Sequence, residues 1–128
     1  MTLRLHRLSN QLTHSAHTLA RRIADLAFSK KGNEVTILDL RGISNVTDYF
    51  VVVSGDARLH LEAIAEGIED GLREEGIRVS GKEGHGGGRW ILLDYFDVVA
   101  HIFYAPVREF YALEKLWGDA PQETFETH

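Results

Sequence analysis

The chain has 128 residues, 44% of them hydrophobic and 26% charged, which fits one ordinary globular domain with a core of its own. It has no cysteine, which excludes disulfides, thiol catalysis and cysteine-ligated zinc, and no apolar run nears the ~20 residues that span a bilayer, so a cytoplasmic address is expected. The net charge of −5 is segregated: residues 1–33 carry six Lys/Arg against one acid, and the rest carries eight against eighteen, so the body repels phosphate and suits a basic protein partner.

Residues 1–13 show weak periodicity, lack the apolar segment of a signal peptide and read as a partly ordered extension. The domain proper is expected over 14–120. Its first helix is capped by Thr13 or Ser15, with Ala16, Leu19/Ala20, Ile23 and Ala27 on one stripe and Gly32 as the stop. The basic residues of 1–33 read either as a solvated face or as an RNA contact. His14 and His17 stand three apart, a spacing that can hold a metal, but no further ligand lies near them in sequence, and a solvated face is the simpler reading.

Val35–Leu40 and Tyr49–Val53 read as strands; the nearly all-apolar Tyr49-Phe50-Val51-Val52-Val53 predicts a central strand covered on both faces. Ser54-Gly55-Asp56 turns into a second helix with Leu61, Ile64, Ile68 and Leu72 on one stripe and Gly76 at its end; His60, near the start, is expected to face solvent. A short strand is expected at Ile77–Ser80. Gly81–Gly88 reads as a glycine-rich connection rather than a phosphate cradle, because it leads into a strand and not into a helix.

Trp90–Leu93 and Val98–Phe103 read as a tight hairpin. With Tyr95-Phe96 as its two-residue loop, Asp94 opposes Asp97, Leu92 opposes Val99 and Trp90 opposes His101. One face is then purely aliphatic (Ile91, Leu93, Val98, Ala100, Ile102) and is read as core. The other mixes Trp90, Leu92, Asp94, Asp97, Val99, His101 and Phe103. Aromatic anchors with polar groups at the edge are the anatomy of a protein interface, and the alternative is a second, minor core. Asp94 and Asp97 also leave open a divergent nucleotidyltransferase, whose paired carboxylates hold two magnesium ions. Pro106 opens a last helix with Phe110, Leu113 and Trp117 on one stripe, ended by Gly118; residues 121–128 are a polar, frayed tail. The order α-β-β-α-β-β-β-α predicts a single α/β domain with a mixed five-stranded sheet and packed helices.

Three blocks carry a resemblance. Ile37-Leu38-Asp39-Leu40-Arg41-Gly42 with Asp48-Tyr49-Phe50-Val51-Val52-Val53-Ser54-Gly55, then Trp90–Tyr95 with Asp97-Val98-Val99 and His101-Ile102-Phe103, then Arg108–Tyr111 with Leu113-Glu114 and Leu116–Ala120, resemble the Iojap/RsfS family of ribosomal silencing factors over about residues 15–120. The resemblance implies a nucleotidyltransferase-like fold without catalytic residues or cofactor. It implies binding to the large ribosomal subunit through a ribosomal protein of the L-fourteen type, blocking small-subunit joining and repressing translation. It also implies a homodimer when free. Organellar relatives act in large-subunit assembly, which stands as the alternative role. No membrane or small-molecule substrate is implied, and rRNA contact falls to the basic residues of 1–33. The implied partner-binding residues are Trp90, Leu92, Asp94, Asp97 and His101, with Asp48 and Tyr49 nearby. Phe96 stands where the family usually has Gly, and it adds an aromatic to the hairpin tip.

Overall fold

Helix α1 (Ala16–Ser29) begins where the Ser15 hydroxyl accepts the Thr18 N–H at 3.0 Å, a side-chain cap for one of the orphan donors of the first turn. It buries Ala20, Ile23, Ala24 and Ala27, the expected stripe. Lys30 and Gly32 both donate to the Ala27 carbonyl, at 3.1 and 2.9 Å. The left-handed residue at this end is Lys31, with φ 65°, and not Gly32. Gly32 is required for space instead: a Cβ there would sit 2.6 Å from Val53 Cγ1. The computed structural model describes residues 15–85, 87–106 and 120–125. The extension 1–13, His14 and the stripe Phe110, Leu113, Trp117 with its stop at Gly118 lie outside the described residues.

Strands β1 (Asn33–Asp39) and β2 (Tyr49–Gly55) pair antiparallel, and the chain then enters α2 (Arg58–Glu74). Leu61, Ile64, Ala65, Ile68 and Leu72 of α2 are buried. Gly76, at φ 82°, closes this helix: its N–H reaches the Arg73 carbonyl at 3.0 Å and the Ile77 N–H reaches the Leu72 carbonyl at 2.8 Å. Those two bonds are the Schellman pattern, and glycine adopts the left-handed conformation it needs without steric cost.

That closure corrects the expected strand at Ile77–Ser80, because the Ile77 N–H is already used by the helix. Ile77 and Val79 pack against the core without joining a ladder, and the strand forms next door, as β3 (Gly81–His85) inside the stretch read as a glycine-rich loop. β4 (Trp90–Asp94) and β5 (Val98–Tyr104) follow, and β6 (Gln122–Phe125) forms in the segment read as a frayed tail. The sheet is mixed and has six strands rather than five, in the order β3-β4-β5-β2-β1-β6. Among the described residues only β2 and β5 run parallel; the other pairs are antiparallel. β2 lies inside the sheet, as its apolar run requires.

Both described helices pack on one sheet face, over Tyr49, Val51, Val53, Leu93, Val98, Ala100 and Ile102. The opposite face holds a smaller cluster of Leu38, Leu40, Val52 and Phe103, joined by Ala120 and by half-buried Phe50 and Trp90.

The hairpin register differs from the expected one by two residues. Leu92 opposes His101, Asp94 opposes Val99 and Trp90 opposes Phe103. Tyr95 is the cause. Its ring is buried in the main core, so Tyr95 closes the ladder opposite Val98, with its N–H on the Val98 carbonyl at 2.9 Å, and the turn moves on to Phe96-Asp97. A slip of two leaves each side chain on its expected face, whereas a slip of one would have exchanged the faces.

Candidate partner-binding surface

The mixed face of β4 and β5 is built around an aromatic stack. Alternation along the strands brings Trp90, Leu92 and Asp94 to the same side as Val99, His101 and Phe103. The Trp90 ring stacks on Phe103 with centroids 4.9 Å apart, and its indole N–H donates to His101 Nδ1 at 3.2 Å. Phe50 of β2 meets the His101 ring edge-on at 4.4 Å. Because Nδ1 accepts, the proton of the neutral ring sits on Nε2, which is buried and has no hydrogen-bond partner among the described residues. Burial, helped by the nearby His85, pulls the His101 pKa down to about 4, so the ring is a neutral aromatic near pH 7. His101 and Phe103 are buried, while Trp90, Leu92, Asp94 and Val99 remain half-buried. This face is therefore part minor core and part accessible surface. His85, whose ring lies 4.9 Å from Trp90, and Phe50 belong to the same cluster; sequence reasoning missed both. His85 sat in the misread glycine loop, and Phe50 was absorbed into an apolar run.

The remaining implied residues gather at one end of the sheet. The Asp97 carbonyl accepts the N–H groups of Asp48 and Tyr49, at 2.9 and 3.0 Å, which ties the start of β2 to the hairpin turn. Asp94 Oδ1 accepts the Phe96 N–H at 2.8 Å, an Asx turn. Phe96 takes φ 70° there and is 68% exposed. Asp94 and Asp97 do not oppose each other across the ladder, which removes the geometric basis for a two-metal carboxylate pair. No group of three or more His, Cys, Asp or Glu is placed to hold a metal among the described residues.

Tyr49 is not part of this surface. It points to the helix-covered face, where its ring lies 5.5 Å from that of His17 and the Arg41 guanidinium sits 5.3 Å from its centroid. The cavity beside it, about 370 Å³, is lined by His17, Asp39, Arg41 and Glu123 among others. Their charges are matched within the chain: Arg41 bonds Asp39 through two nitrogens at 2.9 and 2.7 Å, and Glu123 of β6 takes His17 and Arg21. His60 also departs from its expected solvent-facing place. Its Nδ1 accepts the Asp56 N–H and its Nε2 meets the Lys30 carbonyl, both at 2.9 Å, so it joins the start of α2 to the end of α1.

Residues 13–128 match the model of a family described as ribosomal silencing factor during starvation, RsfS. The chain is 46% identical over 92 residues to ribosomal silencing factor RsfS of Bacillus subtilis, covering 72% of this chain and 78% of that one. A crystal structure of a Chromobacterium violaceum protein superposes with a TM-score of 0.77 at 28% identity, over 89% of this chain and 94% of the other. A Bacillus halodurans crystal structure gives 0.71 at 33% identity, over 87% and 99%.

Proposed function

The chain belongs to the ribosomal silencing factor family, and on that premise we propose that it is a cytoplasmic translation repressor that binds the large ribosomal subunit and blocks joining of the small one. The partner in this reading is a basic ribosomal protein of the L-fourteen type. The contact is made by the accessible part of the mixed face and the hairpin tip: Trp90, Leu92, Asp94, Phe96 and Asp97, with Asp48 beside them and His101 supporting Trp90 from below. The family match over residues 13–128 carries the role, and Phe96 carries the assignment of the contact in this chain. A left-handed φ costs a non-glycine residue about 1–2 kcal/mol, and an exposed phenyl ring recovers little of that from packing. Folding alone does not account for such a residue between two aspartates. An aromatic anchor with an acidic rim fits a basic protein surface.

Repression in this reading is by occlusion and needs no catalytic group. The free protein is a homodimer, and the basic residues of 1–33 reach rRNA. The test is gradient sedimentation of the tagged full chain with separated subunits. It should travel with large subunits and not with small ones; equal recovery with both, or with neither, contradicts the proposal.

A further inference from the structure

The loop between β1 and β2 contributes only Asp48 to the proposed partner surface. It is held by its own hydrogen bonds. Leu40 donates to the Asp48 carbonyl at 2.8 Å, and Ile43 and Ser44 both donate to the Leu40 carbonyl, at 3.0 and 2.9 Å. The Ser44 hydroxyl accepts the Val46 N–H at 3.1 Å, and the buried Thr47 hydroxyl donates to the Tyr49 carbonyl at 3.4 Å. Yet this ordered loop turns aliphatic side chains outward: Val46 is 88% exposed and Ile43 44%.

The topology places this loop beside the hairpin tip. β2 and β5 are parallel neighbours, with Tyr49 opposite Val98, so both strands start at the same end of the sheet. The Asp48 N–H bond to the Asp97 carbonyl joins the two turns directly. Three of the four large exposed hydrophobic side chains among the described residues, Ile43, Val46 and Phe96, therefore stand at one end. The fourth, Leu59, opens α2 at the opposite end.

We infer that the β1–β2 loop is a second partner-binding element, and that Ile43 and Val46 seat with Phe96 in an apolar recess, rimmed by Lys or Arg, on a basic protein. This rests on the proposed function and names a contact beyond it. Charge selects the occupant. Asp48, Asp94 and Asp97 belong to the same two turns as the three apolar side chains, and Arg41, the one cation of the loop, is already bonded to Asp39, so the excess of carboxylates repels phosphate, whether of RNA or of a lipid headgroup. A second copy docking by the same patch would bring two acidic rims together. A basic protein has neither difficulty. The hydrogen-bonded loop also meets its partner already ordered, which lowers the entropy lost on binding.

The experiment titrates fluorescently labelled full-length chain with purified large ribosomal subunits. The Ile43→Ser/Val46→Ser double variant should bind about ten-fold more weakly than wild type, because truncation of apolar anchors at an interface centre acts on that scale. Its melting temperature should fall by no more than a few degrees, since Val46 is almost wholly exposed and Ile43 only partly covered, and the variant is compared at a temperature where it is fully folded. Leu59→Ser, the control at the other end, should bind as wild type. Wild-type affinity in the double variant overturns the inference and leaves the proposed function standing. So does an equal loss in Leu59→Ser, which would mark a generic effect of exposed apolar surface. A double variant that changes self-association in sedimentation velocity but keeps subunit binding assigns the patch to a second copy and overturns it too. Wild-type chain that fails to bind large subunits removes the proposed function and this inference together.

Discussion

Phe96 and its neighbour Tyr95 show how one side chain can set a turn. Tyr95 buries its ring under α2, and that burial positions Phe96 at the tip with φ 70°. Phe96→Gly should raise stability by roughly 0.5–1 kcal/mol, the relief of the left-handed strain less the larger unfolded-state entropy of glycine. Chemical denaturation checks this, and the same variant should bind large subunits less tightly. A rise in stability with a fall in binding separates an anchor from a structural residue. Tyr95 has the opposite character. Its hydroxyl is buried without a partner among the described residues, and burial with nearby Glu69 pushes its pKa well above the ordinary phenol range. Removing an unsatisfied buried hydroxyl while keeping the ring is neutral or favourable. Tyr95→Phe should therefore melt at or above the wild-type temperature; a loss of more than about 1 kcal/mol would mean that the hydroxyl has a partner. Phe96 was legible in the sequence as an exposed tip residue, because it lies beyond the last alternating pair. Tyr95 was not: in a Tyr-Phe dipeptide between two strands, nothing local says which ring the core takes.

At the scale of elements, α1, α2 and β2 were legible because each buries a periodic stripe or a continuous apolar run. β3 and β6 were not, because edge strands are held by backbone bonds on one side and their side chains stay mostly exposed. The faces of the β4–β5 hairpin were read correctly although the register was not, since a period of two survives a slip of two. The two faces should divide stability from binding. Leu93 is fully buried under the helices, so Leu93→Ala should cost about 2–5 kcal/mol while the folded fraction still binds. Asp94→Lys gives up the Asx bond to Phe96, worth about 1 kcal/mol, and should lose most of its binding to a basic partner. Trp90→Ala should do some of each, because Trp90 both stacks on Phe103 and reaches the surface. Paired melting and subunit pull-down decide it: if Leu93→Ala abolishes binding while folded and Asp94→Lys does not, the binding face is the other one.

At the scale of the molecule, His101 couples the mixed face to pH. Its folded pKa of about 4 lies below the unperturbed 6.5, so between those values the unfolded chain takes up a proton that the native state refuses. Stability is full above about pH 6.5 and falls as pH drops towards 4, by at most about 3 kcal/mol at 1.36 kcal/mol per unit. Asp39, whose pKa the Arg41 hydrogen bond lowers, adds its own loss only below its ordinary 3.8, outside that window. Urea unfolding at pH 7 and pH 4.5 should show the fall in wild type and a flatter response in His101→Gln; identical pH dependence in the two would assign the effect elsewhere. The charge pattern over the whole chain suits a basic partner whatever the fold, because long-range electrostatics depends on composition. The six-stranded sheet and the pairing of two loops at one end were not visible in that way, since they arise from contacts between segments far apart in sequence.

The most direct test of occlusion is a joining assay. Large subunits are incubated with excess full-length chain, small subunits and magnesium are added, and joined ribosomes are counted by gradient sedimentation. A marked fall in joined ribosomes is expected, relieved by Asp94→Lys and in part by the Ile43→Ser/Val46→Ser variant. Normal joining with the wild-type chain bound to the large subunit would contradict it, and would leave a protein that binds this subunit without silencing it.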